Sequence, residues 1–186
     1  MPHIRLFFAL QLNEEILEDL EAVQSDLRPT GLRLARRDQI HLTLSFLGDV
    51  EEDRLQSLDL VVRKPVTHAF PLRLQVRGLS RFKSMHGTRV IYAKVKDREG
   101  DLAELQDNLA YACRHYFEKQ ETSKFRPHIT LARNRVSSRS DEAMISKVLS
   151  RWREFPFGEW TPNEMVLFRS DNVEGRRTYT AIKAYR

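Results

Sequence analysis

Two stretches of the chain place residues suited to proton transfer in the same order: His41-Leu42-Thr43-Leu44 and His128-Ile129-Thr130-Leu131. An imidazole with an unperturbed pKa near 6.5 gives or takes a proton close to neutrality. In an extended strand a hydroxyl two residues on lies on the same face, about 6.6 Å further along. Strict alternation sends Ile40, Leu42, Leu44 and Phe46 towards a core, and His41, Thr43 and Ser45 away from it. In the second copy Ile129 and Leu131 point inward while His128 and Thr130 point outward. The copies are 128 − 41 = 87 residues apart. Set side by side, they furnish one cleft with two imidazoles and two hydroxyls.

That set suits the opening of a phosphodiester. One histidine takes a proton from the attacking water and the other protonates the departing oxygen on the opposite side. The hydroxyls donate to non-bridging phosphoryl oxygens, and a cation offsets the charge that develops there. Arg133 is the candidate cation, but it sits five residues beyond His128, at the wrong parity for the cleft. It joins the site only if the strand bends or ends after Ala132. Metal binding is the main chemical rival, yet neither copy has a second His, Cys or carboxylate at close spacing. Two histidines alone make a poor zinc site, so no metal and no cofactor are expected. The structural alternative is a pair of buried histidines satisfied by backbone groups, which the matched spacing argues against.

The elements that must hold these residues follow from periodicity. Ile16, Leu17, Leu20, Val23 and Leu27 recur at helical spacing behind Asn13, predicting a helix over 13–27. Leu102, Leu105, Leu109, Ala112 and Tyr116 do so behind Asp101. Shorter helices are expected at about 51–64 and, after the Ser-rich stretch "NRVSSRSD", at about 140–152. Strands are expected at 4–10, 32–36, 39–47, 70–78, 89–96, 128–133, 164–169 and 177–185. The order strand, helix, motif strand, helix, strand then occurs twice, with offsets of 85 to 89 residues. An internal duplication is therefore expected. It would give one domain over 1–186 made of two pseudo-symmetric lobes, roughly 1–88 and 89–186.

Composition allows this and narrows the rest. A chain of 186 residues, 41% apolar, with seven Gly and seven Pro, is long enough for one full core. The net charge of +5 permits a polyanionic partner without requiring one. The single cysteine, Cys113, has no disulfide partner and reads as a small apolar helix residue. "LFFAL" gives way at once to Gln11, Asn13, Glu14 and Glu15, too short a run for a signal peptide or a bilayer span. No membrane partner and a cytoplasmic location are the defaults. His3, His68, His86 and His115 have no matched counterpart. His86, in "KSMHGT", reads as a hairpin loop; with Arg77, Arg81, Lys83 and Arg89 it offers a basic edge for a phosphate backbone, equally explicable as surface charge. Pro127 makes Arg126 extended and marks the start of the second motif strand.

The stretches "RLFFAL", "HLTLSFLGDV", "FRPHITLAR", "LFRS" and "RRTYTAI" span the whole chain. On them the chain resembles the 2H phosphoesterase superfamily, within it the RNA 2′,3′-cyclic phosphodiesterase branch, also called the LigT-like 2′-5′ RNA ligase family. The resemblance implies an α+β bilobal fold, two antiparallel sheets lining a central cleft with helices outside. It implies metal-free hydrolysis of an RNA 2′,3′-cyclic phosphate end to a 2′-phosphate, and a monomer is expected to carry it out. By the same resemblance His41 corresponds to the proton donor to the leaving 3′ oxygen and His128 to the proton acceptor that activates water. Thr43, Thr130 and Arg133 correspond to the phosphate-binding set. Phe46 stands where the second copy has Arg133, and its parity assigns it to the core. Two other uses of the same cleft stay open: binding of RNA ends without turnover, and 2′-5′ ligation.

Overall fold

The computed structural model describes residues 2–116, 124–134 and 141–186. The chain starts with β1 (His3–Gln11), then α1 (Glu14–Leu27), the short β2 (Arg33–Leu34) and the first motif strand β3 (His41–Glu51). There follow α2 (Leu55–Val66), the hairpin β4 (Leu74–Ser84) and β5 (Gly87–Asp97), α3 (Asp101–Ala112) and the second motif strand β6 (His128–Arg133). The chain continues through α4 (Glu142–Arg151), β7 (Pro156–Trp160), β8 (Met165–Val173) and β9 (Arg176–Tyr185).

Local chemistry accounts for the boundaries. The Asn13 side chain accepts from the Ile16 amide at 3.2 Å, with Glu14 and Glu15 in the first turn of α1, where the helix dipole favours negative charge. The Asp141 carboxylate caps α4 by accepting from the Met144 amide at 3.0 Å. At α3 the cap is Gly100, with φ of 88°, rather than the expected Asp101, which lies in the first turn. The Asp97 carboxylate holds this corner by accepting from the Gly100 and Ala103 amides, each at 3.0 Å. β7 has no counterpart in the sequence reading. Its Pro156 at the first position and Gly158 inside break the alternation, and the sheet tolerates both because β7 is an edge strand. The expected loop at 134–141 lies mostly outside the described residues.

The α+β class holds, and among the described residues every strand pair is antiparallel. The strand order is β7-β4-β5-β6-β3-β1-β8-β9, with β2 on β6. Where two sheets were expected, there is one nine-stranded sheet, joined at its middle by the single pair Leu42–Ile129. On either side of that pair β3 and β6 diverge, and the divergence is the cleft. The halves of the sheet are not the halves of the sequence. β4, in the first half of the chain, belongs with β5 and β6, whereas β8 and β9 complete the side that holds β1 and β3.

Helices cover one face. α1 packs with α4 over β6 and β7, and α3 packs with α2 over β3 and β5. Leu6, Phe8 and Leu10 of β1 enter that main core with Leu20, Leu42, Leu58 and Ile91. Phe7 and Ala9 point the other way, into a smaller cluster with Val166, Phe168 and Tyr179 on the open face. "LFFAL" is thus apolar throughout because the strand is covered on both sides. Cys113 is buried, and burial pushes its thiol up to about 12, which leaves it a packing residue. No helix among the described residues is long and apolar enough to cross a membrane.

Candidate active site

Leu42 opposite Ile129 on antiparallel strands sets the register of the site. The flanking residues then run His41 opposite Thr130 and Thr43 opposite His128, since 41 + 130 and 43 + 128 both equal 42 + 129. All four side chains line one cavity of about 190 Å³, and Arg133 lines it too. The five residues singled out from the sequence are therefore brought together.

Arg133 reaches the cavity because β6 carries a bulge. Tyr92 pairs with Thr130 and Ile91 with Ala132, so Leu131 is an extra residue on β6. Leu131 and Ala132 are both buried in succession and the alternation restarts one residue late, which turns Arg133 into the cleft. Its Nη2 lies 3.4 Å from Thr130 Oγ1. The bulge frees the Leu131 carbonyl from the ladder, and two donors satisfy it: the Ala35 amide at 2.8 Å and the buried Gln24 Nε2 at 3.0 Å. Gln24 Nε2 also donates to the Ala35 carbonyl at 2.7 Å.

β3 has the same bulge at the same place. Ala9 pairs with Thr43 and Phe8 with Ser45, leaving Leu44 as the extra residue. Residues 41–46 and 128–133 consequently share one burial pattern, position for position. Two expectations from strict alternation are corrected by it. Ser45 is buried rather than on the cleft face, and Phe46 is not in the core but 51% exposed at the cavity wall, at the place Arg133 takes in the other copy.

Each imidazole is held from behind. His128 Nδ1 lies 2.7 Å from the Arg126 carbonyl. A carbonyl cannot donate, so Nδ1 carries the proton in the neutral ring and Nε2 keeps its lone pair. His41 is hydrogen-bonded to the Gln39 backbone, again two residues earlier, and its Nε2 lies 3.1 Å from Thr43 Oγ1. Aromatic rings set each histidine's angle: Phe7 stacks on His41 at 5.1 Å and Tyr179 meets it edge-on at 5.5 Å. Phe82 and Tyr92 meet His128 edge-on at 5.2 and 5.4 Å. Burial lowers the His41 pKa to about 4, and the charges of Arg133 and His128 push the same way. At neutral pH His41 is therefore an uncharged ring.

The sequence reading missed three further residues of the cavity wall. Arg33 arrives on β2, just ahead of the first motif, and Arg177 and Tyr179 on β9, far from either motif, and only the sheet order brings them in. The basic hairpin edge fares differently. Arg81 is 2.9 Å from Glu142 and Arg77 3.5 Å from Glu154, so two of its four cations are already paired. Among the described residues no group of three His, Cys, Asp or Glu side chains gathers as a metal site.

Comparison with known proteins agrees with this architecture. The curated RNA 2′,3′-cyclic phosphodiesterase of Methanocaldococcus jannaschii is 23% identical over 98% of this chain and 100% of its own length. The protein of the same name from Escherichia coli K12 is 28% identical over 97% of this chain and 95% of its length. A crystal structure of TT0787 of Thermus thermophilus superposes with a TM-score of 0.79 at 28% identity, covering 98% of this chain and 97% of the other. The sequence model of the 2′-5′ RNA ligase superfamily matches residues 28–174, across both histidine motifs, and the chain belongs to that superfamily.

Proposed function

We propose that this chain hydrolyses RNA 2′,3′-cyclic phosphate ends to 2′-phosphates by general acid–base catalysis between His41 and His128, without a metal. The observation that carries the reading is the pair of imidazoles, each anchored to a backbone carbonyl two residues back and facing one small cavity with two hydroxyls and Arg133. The relatives named RNA 2′,3′-cyclic phosphodiesterase match over nearly their full lengths, which supports the same substrate class here.

In this reading the cyclic phosphate sits between the histidines. Thr43, Thr130 and Arg133 bind its non-bridging oxygens and the charge that grows on them. His128 Nε2 takes a proton from water as the water oxygen bonds to phosphorus. The bond from phosphorus to O3′ breaks on the opposite side, and His41 Nε2 protonates O3′. The product carries a 2′-phosphate and a free 3′-hydroxyl. His41 must be protonated for this, although burial keeps its ring uncharged at neutral pH. The anionic phosphate supplies the change: a negative charge beside the ring offsets Arg133 and raises its pKa, so substrate and proton enter together.

We also read the chain as one domain with two pseudo-symmetric lobes that arose by duplication. The shared bulge, the shared burial pattern and the strand order, which mirrors about β6 and β3, support this.

The test is a short RNA with a 2′,3′-cyclic phosphate, incubated in EDTA, with the product's phosphate position determined. A 2′-phosphate is expected, and His41→Ala or His128→Ala should each lower kcat by about 10²–10⁴ while the fold survives. A 3′-phosphate product, or activity undiminished in the double variant, refutes the mechanism. Tight binding without product would instead mark a binding module, and joined product with a 5′-hydroxyl RNA would mark ligation.

A further inference from the structure

We propose that Arg33 and Arg177 form a second phosphate subsite, which receives the phosphodiester next to the terminal nucleotide and makes the site select oligoribonucleotide ends over mononucleotides. The inference rests on the RNA-end activity proposed above.

Charge counting is the first argument. Among the described residues three guanidinium groups line the cavity, those of Arg33, Arg133 and Arg177. Among the described residues none of the three pairs with a carboxylate, whereas their neighbours Arg36 and Arg37 pair with Asp38 and with Glu14 and Glu21. A cyclic phosphate carries one negative charge, and Arg133, against Thr130, is placed to meet it. Two uncompensated cations are left over at the same wall.

Both are held by structure rather than carried on loose loops. Arg33 registers with Arg133 across the β2–β6 pair, which sets the two residues side by side on adjoining strands. Arg177 is tethered through its backbone carbonyl, which accepts from Gln39 Nε2 at 2.6 Å, two residues before His41. Its Nη1 lies 3.5 Å from Ser170 Oγ. Tyr179, on the same strand, already touches the His41 ring.

Size points the same way. A cavity of about 190 Å³ is below the range of about 300–1,000 Å³ that encloses a whole small ligand. The phosphate and the edge of the ribose fit, so the nucleoside and the rest of the RNA extend beyond it, either into the adjoining hollows beside His41 and His128 or along the wall where Arg33 and Arg177 are exposed. A guanidinium fork meets a phosphodiester's two free oxygens in a bidentate manner, so each arginine is suited to that group.

The test compares adenosine 2′-monophosphate with an adenylyl dinucleotide bearing the same 2′-phosphate, by calorimetry on the full chain. Turnover of the matching cyclic phosphates is measured alongside. The dinucleotide should bind the wild type at least about tenfold more tightly, the effect of one good charge-assisted contact. In Arg33→Ala/Arg177→Ala that preference should fall to about twofold or less. The slope of log affinity against log salt for the dinucleotide should become shallower by about 0.7, as the one internucleotide phosphate that both arginines neutralise loses its partners. Arg33→Lys/Arg177→Lys should restore part of the preference and guards against misfolding as the cause. Equal affinity of the wild type for both ligands overturns the subsite, as does a variant that weakens both ligands equally. Preference without turnover of either substrate leaves the subsite standing and refutes the hydrolytic reading. Turnover without preference does the reverse.

Discussion

The depressed pKa of His41 ties the site to the stability of the fold, and the tie can be measured. The ring titrates near 6.5 in an unfolded chain and near 4 in the folded one. Above pH 6.5 it is neutral in both states and adds no pH dependence. As pH falls below 6.5 the unfolded chain takes up a proton that the folded chain refuses, so folding weakens. The loss grows until the pH passes 4, below which both states are protonated. At pH 5 the difference in proton binding costs about 2 kcal/mol, and the full shift costs about 3 kcal/mol. For a chain of this length that is about 4–8 °C in Tm at pH 5. The perturbation is His41→Gln, which keeps a polar group beside Thr43 but cannot titrate. Urea unfolding of both proteins at pH 8 and pH 5 gives the comparison, because the remaining five histidines and the carboxylates are common to both. Wild type should lose about 2 kcal/mol more than the variant between the two pH values. Inorganic phosphate should shrink that gap, since an anion in the cavity raises the ring's pKa. Parallel losses in the two proteins, or an NMR titration of His41 near 6.5 without added anion, would refute the reasoning.

Two other perturbations address how the site is held. Gln24→Met removes the donor to the Leu131 and Ala35 carbonyls and should cost about 1–3 kcal/mol of stability. Phosphate affinity, measured by calorimetry well below the unfolding temperature, should also fall several-fold if the bulge it holds is what aims Arg133. Gly78→Ala places a Cβ 2.1 Å from the Arg153 carbonyl oxygen at a φ of 73°, so it should cost about 3 kcal/mol or more in urea unfolding.

Much of this molecule was legible because periodicity reports faces directly. The motif strands, α1 and α4 declare themselves through alternation or helical spacing and through their capping residues. The bulges could not be read that way, because an extra residue in a strand leaves every residue type in place and changes only its parity. One signal is visible once the geometry is known: the residue after each bulge is small, Ser45 in one copy and Ala132 in the other, as two successive inward positions require. The same shift of parity moves Phe46 out of the core and turns Arg133 into the cleft. Arg33 and Arg177 were beyond any local pattern. They belong to the cleft only because β2 joins β6 and because β8, the hairpin partner of β9, joins β1, long-range pairings that spacing along the chain does not encode.

The helices bear on how the chain folds as well as on how it is covered. β1 lies in the half of the sheet with His41, yet the helix that follows it packs beneath β6 and β7; β5 lies in the other half, and its following helix straddles the centre, beneath both β5 and β3. One helix therefore crosses to the opposite half and the other spans the join. Cut near residue 88, neither piece keeps both a sheet and the helices that dry it, and β4 would be separated from its partner β5. The two histidines are consequently joined by a single cooperative unit: a cleft of this kind cannot be half assembled, and no stable fragment would present one histidine without the other.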